Sequence, residues 1–206
     1  MKSFWMAPVA AVALLSGCVA GQSIKLSYTP DPAVNSPATE PVTLVVRDQR
    51  EYVTNRDKDP WYLGHYRAGF GNTWDVANYG KAPLEDQFRS DLHRELQTLG
   101  FTGDAASQNT LTISIREWNF DAATNGRLWY EIRVAVTDRS GRVTAESTIK
   151  DQRIIRGSAM TGAKSAMERE VPEIYRDVIR ALVRNNATVL AALRPAVSAS
   201  IASPVP

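Results

Sequence analysis

Leu128-Trp129-Tyr130-Glu131-Ile132-Arg133-Val134-Ala135-Val136-Thr137 alternates with a period of two: Leu128, Tyr130, Ile132, Val134 and Val136 fall on one face, and Trp129, Glu131, Arg133 and Thr137 on the other. Successive side chains of a strand point to opposite faces, so this segment covers a core on one side and leaves the other side wet, the habit of an antiparallel sheet. Upstream, Thr110 to Phe120 alternates through Leu111, Ile113 and Ile115, and Asn125-Gly126 offers the turn chemistry that reverses a strand. Downstream, Asp138-Arg139-Ser140-Gly141 reads as a second hairpin turn into a more polar strand, Arg142 to Arg156. Together these segments predict a three-stranded meander.

Helices flank the meander. Pro83 opens the first at a position where its missing amide is harmless, and Leu84, Phe88, Leu92, Leu96 and Leu99 recur at helical spacing. Gly100 closes that helix in the left-handed cap position, with Phe101 expected to fold back on the last turn. After the meander, Ser165-Ala-Met-Glu168 matches a capping box. Met167, Val171, Tyr175, Val178, Leu182, Val189 and Leu193 then form the apolar stripe of one long helix, interrupted early by Pro172 and ended by Pro195. Val42-Thr-Leu-Val-Val-Arg-Asp48 adds a first core strand, near-continuously apolar and so suited to cover on both faces. The order β-α-β-β-β-α predicts an α+β two-layer sandwich, with a mixed, mostly antiparallel sheet of four to five strands and two helices on one face.

From Gln49 to Lys81 no period is visible, and Trp61, Tyr62, Tyr66, Phe70, Trp74 and Tyr79 crowd among Gly64, Gly69, Gly71 and Gly80. A connection this long tends to work or to move. Its rings either fold over the sheet as a satellite core or form a contact surface, since Trp and Tyr offer large, rigid area with a polar tip. These six aromatics are the candidate partner-binding residues.

The amino terminus fixes location. Residues 1–17 carry Lys2, then an apolar run from Phe4 to Leu15 and small residues, which is a secretory leader too short to span a bilayer stably. Its end, Leu15-Ser16-Gly17-Cys18, resembles the lipobox of bacterial lipoproteins. That resemblance implies cleavage before Cys18, diacylglycerol on its sulfur and an acyl group on its new amino terminus. Cys18 is the only cysteine in the chain, so no disulfide can form within it. Two or three acyl chains anchor a protein stably where one does not. Val19 stands where an aspartate would, by resemblance to enteric lipoproteins, retain the molecule at the inner membrane, so the expected address is the periplasmic face of the outer membrane of a Gram-negative bacterium. The expected organisation is a leader over 1–17, a lipidated, Pro-rich tether over 18–41, a periplasmic domain over 42–194 and a disordered tail over 195–206. Within the tether, Ile24-Lys-Leu-Ser-Tyr28 alternates like a short strand that could dock as a sheet edge.

Composition excludes several function classes. Loss of Lys2 with the leader takes the formal charge from +2 to +1 with no long run of either sign, so nothing is built to neutralise a nucleic acid. Gly157-Ser-Ala-Met-Thr-Gly162-Ala-Lys164-Ser165 imitates a phosphate-binding loop, but Ala163 is one residue too many and turns Lys164 away, so no nucleotide is expected. His65 and His93 are the only histidines and stand far apart, which gives neither a metal site nor a catalytic triad. Asp57, Asp59, Glu117 and Asp121 are the carboxylates from which a sugar-hydrolysing pair would have to come.

The lipobox, Ile24-Lys-Leu-Ser-Tyr-Thr-Pro30, Val42-Thr-Leu-Val-Val-Arg-Asp-Gln-Arg50, Leu63-Gly64 and the helix end Leu96-Gln-Thr-Leu-Gly-Phe101 together resemble the YajG-type family of uncharacterised bacterial lipoproteins, over residues 14–120. The order of elements is also similar to the amino-terminal domain of the translocation protein TolB and to the lipoprotein activators of penicillin-binding proteins. The resemblance brings no catalytic residues. It implies a periplasmic accessory lipoprotein that is not an enzyme, has no cofactor beyond the lipid on Cys18, and works through an envelope protein partner. The alternative is a peptidoglycan- or glycan-binding lipoprotein that stacks sugars on the aromatics of 61–79.

Overall fold

The computed structural model describes residues 22–32, 41–67, 72–103, 107–123, 125–157 and 162–194. In chain order these form β1 (Gln22–Ile24), β2 (Pro41–Asp48), α1 (Glu51–Thr54), β3 (Tyr62–Arg67), β4 (Thr73–Asn78), α2 (Leu84–Thr98), β5 (Thr102–Gly103), β6 (Asn109–Ala122), β7 (Asn125–Thr137), β8 (Val143–Arg156), α3 (Gly162–Leu182) and α4 (Ala187–Leu193). The class is α+β, as expected, and the β6–β7–β8 meander is present, although Asn125 and Gly126 are paired residues of β7, opposite Arg156 and Ile155, rather than the turn before it. The sheet is larger and more parallel than the sequence predicts. It holds eight strands in the order β1-β4-β3-β6-β2-β5, with β7 and then β8 added beyond β6. Four of its seven pairings are parallel: β1 with β4, β2 with β5, and β6 with both β2 and β3. Local hairpins announce themselves in sequence, whereas these parallel neighbours are far apart along the chain, which is why pattern reading yields a mostly antiparallel sheet of four to five strands.

β6 is the axis of the sheet. β7 occupies one of its edges from Thr110 to Asp121, so β2 and β3 share the other, β2 along Asn109–Ile115 and β3 only at Asp121 and Ala122. A bulge between Ile115 and Glu117 shifts the phase: Leu111, Ile113 and Ile115 face the core before it, Trp118, Phe120 and Ala122 after it. Such a bulge bends the strand and increases its twist, and here the sheet curls where its partner changes. The carbonyl of Trp118 falls in the gap between β2 and β3. It is satisfied by side chains, the Tyr52 hydroxyl at 2.6 Å and the Arg50 guanidinium at 3.5 Å. Arg50 is fully buried, donates also to the carbonyls of Tyr62 (2.6 Å) and Pro60 (3.0 Å), and is neutralised by Asp48 at 2.7 Å. A buried charge persists only when paired and hydrogen-bonded in this way.

Helices α2, α3 and α4 cover one face. Phe88 of α2, Tyr175 of α3 and Trp118 of β6 meet edge to face, with centroids 5.1 to 5.9 Å apart. Leu84, Phe88, Leu92 and Leu96 are buried as their spacing predicts. Phe101 N–H donates to the Leu96 carbonyl and Gly100 N–H to that of Gln97, the paired bonds of a Schellman cap, and the Phe101 ring is buried. Two helix predictions are corrected. α3 begins at Gly162, three residues before Ser165, so Ser165 lies inside the helix and its hydroxyl donates to the Gly162 carbonyl rather than capping; the helix then runs through Pro172 without interruption. The long stripe is divided between two helices. α3 ends at Leu182, and the Asn186 side chain caps α4 by accepting from Val189 N–H at 3.1 Å.

Residues 22–32 are packed on the domain, although they fall in the stretch read as tether. β1 pairs in parallel with β4, and Ile24, Leu26 and Tyr28 are buried. The Tyr28 hydroxyl donates to Glu95, which is itself buried and also bound by Arg184, while Asp31 pairs with Arg180 at 2.8 Å. Cys18, Phe70 and residues 195–206 lie outside the described residues.

Candidate functional site

The stretch Gln49–Lys81, expected to be irregular, contains α1 and the β3–β4 hairpin, and this separates its aromatics. Tyr62 is 4% exposed and belongs to the core. Tyr66 packs half-buried against that core and lies opposite Trp74, also partly buried. Trp61 carries the ammonium of Lys81 over its ring at 5.0 Å, and Tyr79, at 64% exposure, is the most open of the described rings of the set. Gly64 is required here: a Cβ would lie 2.5 Å from the Phe120 carbonyl oxygen and 2.6 Å from its ring. That glycine, with few β-branched neighbours, hides the strand from pattern reading.

The face of β6, β7 and β8 opposite α2, α3 and α4 carries an open groove of roughly 670 Å³. Register orders six of its lining residues in two rows, and Tyr130 and Asp151, the pair between them on β7 and β8, complete the lining. Asn119 of β6, Trp129 of β7 and Gln152 of β8 stand directly opposite one another, and two residues along stand Glu117, Glu131 and Lys150. Within a row neighbours are about 4.8 Å apart, and the rows are separated by about 6.8 Å.

The groove's polar atoms are partly committed. Asn119 Oδ1 accepts from the Tyr62 hydroxyl at 3.2 Å. The Gln152 carboxamide stands 2.9 and 3.2 Å from Arg127, and because a guanidinium offers only donors, the amide oxygen is the atom assigned to it. Lys150 bonds Glu131 at 2.7 Å, with Arg116 also near it at 3.7 Å. Glu117 accepts from Tyr52 at 3.2 Å, but the shorter bond of that hydroxyl goes to the Trp118 carbonyl. The two opposed carboxyls therefore diverge. Burial pushes Glu117 above the usual range, with neighbouring Glu131 adding a little, while the Lys150 hydrogen bond pulls Glu131 below it.

A second polar cluster adjoins the first. Asp121 accepts two guanidinium N–H groups of Arg67, at 2.6 to 3.0 Å, and lies 3.3 Å from His65 Nε2; Arg67 in particular holds its carboxyl below the ordinary range. His65 Nδ1 is 3.4 Å from the Tyr62 hydroxyl. Asp57 and Asp59 are exposed, and His93 is exposed beside Gln97 on α2. Glu117 and Asp121 face the same way but are four residues apart on one strand, about 13 Å, beyond the spacing of a glycosidase pair. The neighbour of Glu117 is Glu131 instead, a pairing invisible without the β6–β7 register. The sequence does carry one usable signal for this site: the alternation that buries Leu128 and Ile132 puts Trp129 on the wet face.

By structure the chain is similar to protein XCC0632 from Xanthomonas campestris, of family DUF330, with 16% identity, coverage of 76% of this chain and 91% of that one, and a TM-score of 0.50. The two share a fold. Looser similarity extends to a PelC dodecamer from Paraburkholderia phytofirmans (14% identity, 82% and 96% covered, TM-score 0.39) and to lipoprotein GNA1162 from Neisseria meningitidis (12%, 67% and 98%, TM-score 0.28). At those scores the superpositions carry no argument about this chain. No protein-family model and no curated protein matches it by sequence.

Proposed function

We propose that this protein is a YajG-type accessory lipoprotein of the cell envelope, acylated at Cys18 and held at the periplasmic face of the outer membrane, where its domain binds a protein partner and catalyses no reaction. The observation that carries this reading is the docked segment just after the lipobox. Only four residue steps separate Cys18 from Gln22, the first residue of β1, so an acylated Cys18 could stand at most about 14 Å from the sheet. A chain end destined for a lipid anchor is thus built into the fold, through Ile24, Leu26, Tyr28 and the Asp31–Arg180 pair. Among the described residues no helix is long and apolar enough to cross a membrane.

The anchor would also orient the domain. β1 runs parallel to β4 with Gln22 opposite Val76, so the amino-terminal end of β1 points towards the Thr73 end of β4, where Trp74 and Tyr66 stand opposite each other. On this reading the bilayer lies at that end, where interfacial Trp and Tyr are at home. Trp61 and Tyr79 lie at the far end of the same two strands and face the periplasm. Trp61, Tyr66, Phe70, Trp74 and Tyr79 remain candidate contact residues, whereas Tyr62 is scaffold.

The test is a photo-crosslinker at position 79 in intact envelopes. One dominant crosslinked protein, lost in Trp61→Ala on the same chain, is the expected result. Crosslinks spread over many abundant proteins, or unchanged by Trp61→Ala, would remove this end of the molecule from partner binding.

A further inference from the structure

We infer that the open face of β6, β7 and β8 is a saccharide-binding site centred on Trp129, with a neutral hexose or N-acetylhexosamine chain as its ligand. This goes beyond the partner-binding reading and moves any glycan site away from residues 61–79. Trp129, half-buried, stands on the face opposite α2, α3 and α4, flanked in register by two carboxamides, Asn119 and Gln152, and Tyr52 of the short α1 reaches only Glu117 of that face. Because Asn119 Oδ1 is held by Tyr62 and the Gln152 oxygen by Arg127, both amides have their NH₂ groups to offer, one on each side of the ring. In the next row Glu117 is an acceptor with no salt bridge among the described residues. A sugar hydroxyl both donates and accepts, and a pyranose presents an apolar ring face with hydroxyls around its edge. Ring, amide donors and carboxylate acceptor recur here at the spacing of neighbouring strands, about 4.8 Å, which is close to the width of a pyranose. A second sugar would reach the Glu117, Glu131 and Lys150 row about 6.8 Å away.

Other ligand classes fit less well. The exposed large apolar residues of the described surface, Tyr79, Val143 and Ile154, lie outside the groove lining, whose two rings, Trp129 and Tyr130, are both half-buried, Tyr130 being packed on the core. In the second row Glu117 and Glu131 lie side by side, with Lys150 committed to Glu131, so a uronate, sulfate or phosphate there would meet two carboxylates, whereas the charge nearest the Trp129 row is the Arg127 guanidinium on Gln152. Neutral sugars meet no such repulsion.

The test is NMR of the full mature chain, labelled with ¹⁵N-tryptophan and held in a detergent without a sugar headgroup. Three tetrasaccharides are titrated: chitotetraose, which has the N-acetylhexosamine chemistry of wall glycan; cellotetraose, a neutral hexose chain; and tetragalacturonate as the anionic counterpart. At least one neutral chain should shift the Trp129 indole signal saturably below about 10 mM, and tetragalacturonate should bind at least about tenfold more weakly. Trp129→Ala should weaken binding by at least about tenfold while leaving the melting temperature within a few degrees, since the ring packs on an open face. Gln152→Ala, on the exposed strand β8, gives a second reading of the same site should Trp129→Ala melt early. Response to chitotetraose alone identifies wall-type glycan as the source, and response to cellotetraose a hexose polymer. Absence of any shift by both neutral chains, equal binding by the Trp129→Ala and Gln152→Ala variants, or equally tight tetragalacturonate binding overturns the inference. None of these results depends on acylation of Cys18 or on a protein partner, so the two readings fail separately.

Discussion

Tyr28→Phe tests how firmly the amino-terminal segment is fixed to the domain. The Tyr28 ring is buried at 2% exposure, and its hydroxyl donates to Glu95, a carboxylate with no exposed surface. Burial first, and then the Glu95 carboxylate, raise the phenol well above its ordinary value, so the hydroxyl stays a donor through the alkaline range. Glu95 has a second partner in Arg184, which also reaches Thr98 Oγ1 at 3.1 Å. Removing the hydroxyl leaves the ring packing intact and takes away one charge-assisted bond, worth about 1.5 to 3 kcal/mol. Arg184 still neutralises the carboxylate, so the lower half of that range is expected. For a domain of this size that lowers the melting temperature by roughly 3 to 8 °C. Arg184→Ala removes the counter-charge instead and should cost more, towards about 3 kcal/mol, part of the full buried-pair penalty because its guanidinium is 16% exposed. Calorimetry gives the melting temperatures, and trypsin cleavage after Lys25 reports undocking of the segment. Melting of Tyr28→Phe within about 1 °C of wild type, with Lys25 cleaved no faster, would refute the clamp.

Two further predictions concern the sheet. Gly64→Ala should destabilise by at least about 2 kcal/mol, because the obstructing atoms include β6 backbone that cannot rotate away; an unchanged denaturation midpoint would contradict the close β3–β6 approach. Glu117→Gln should raise the melting temperature at pH 7. The folded-state pKa of Glu117 lies above its unfolded value, so its ionised form is disfavoured at neutral pH, and that cost disappears as pH falls through the folded pKa towards about 4.5. The stability curves of the wild type and of Glu117→Gln should therefore converge near about pH 4, and a difference that grows in acid would show the sign to be wrong.

What the sequence makes legible follows physical range. The meander and α2 can be read because their signals are local: alternation in Leu128–Val136, the Asp138–Gly141 turn, and the Leu84, Phe88, Leu92, Leu96 stripe ended by Gly100. The Asp138 carboxylate does cap that turn, accepting from Ser140 and Arg142 N–H groups at 2.9 and 3.0 Å. The β3–β4 hairpin is hidden because its strand residues are chosen for fit to other strands, as Gly64 is for Phe120, rather than for period. Parallel partners such as β2 and β6 share no turn that sequence could reveal. Glu95 falls at a polar position of α2, yet it is buried, as is Asp91, since Arg184 and Tyr175 of the later part of the chain satisfy them. The same limit applies to the site. Period alone assigns Trp129 and Glu131 to the wet face of β7, but only register sets Asn119 and Gln152 beside the ring and Glu117 opposite Glu131.

The measurement that bears most directly on the proposed function is the intact mass and amino-terminal residue of the protein recovered from outer-membrane fractions, beside a Cys18→Ser variant. The account predicts a chain that begins at Cys18 and carries diacylglycerol and an amide-linked acyl group, and a variant that retains residues 1–17 and is lost from that fraction. A wild-type chain with an unmodified Cys18, or a Cys18→Ser variant that still fractionates with the outer membrane, would contradict it.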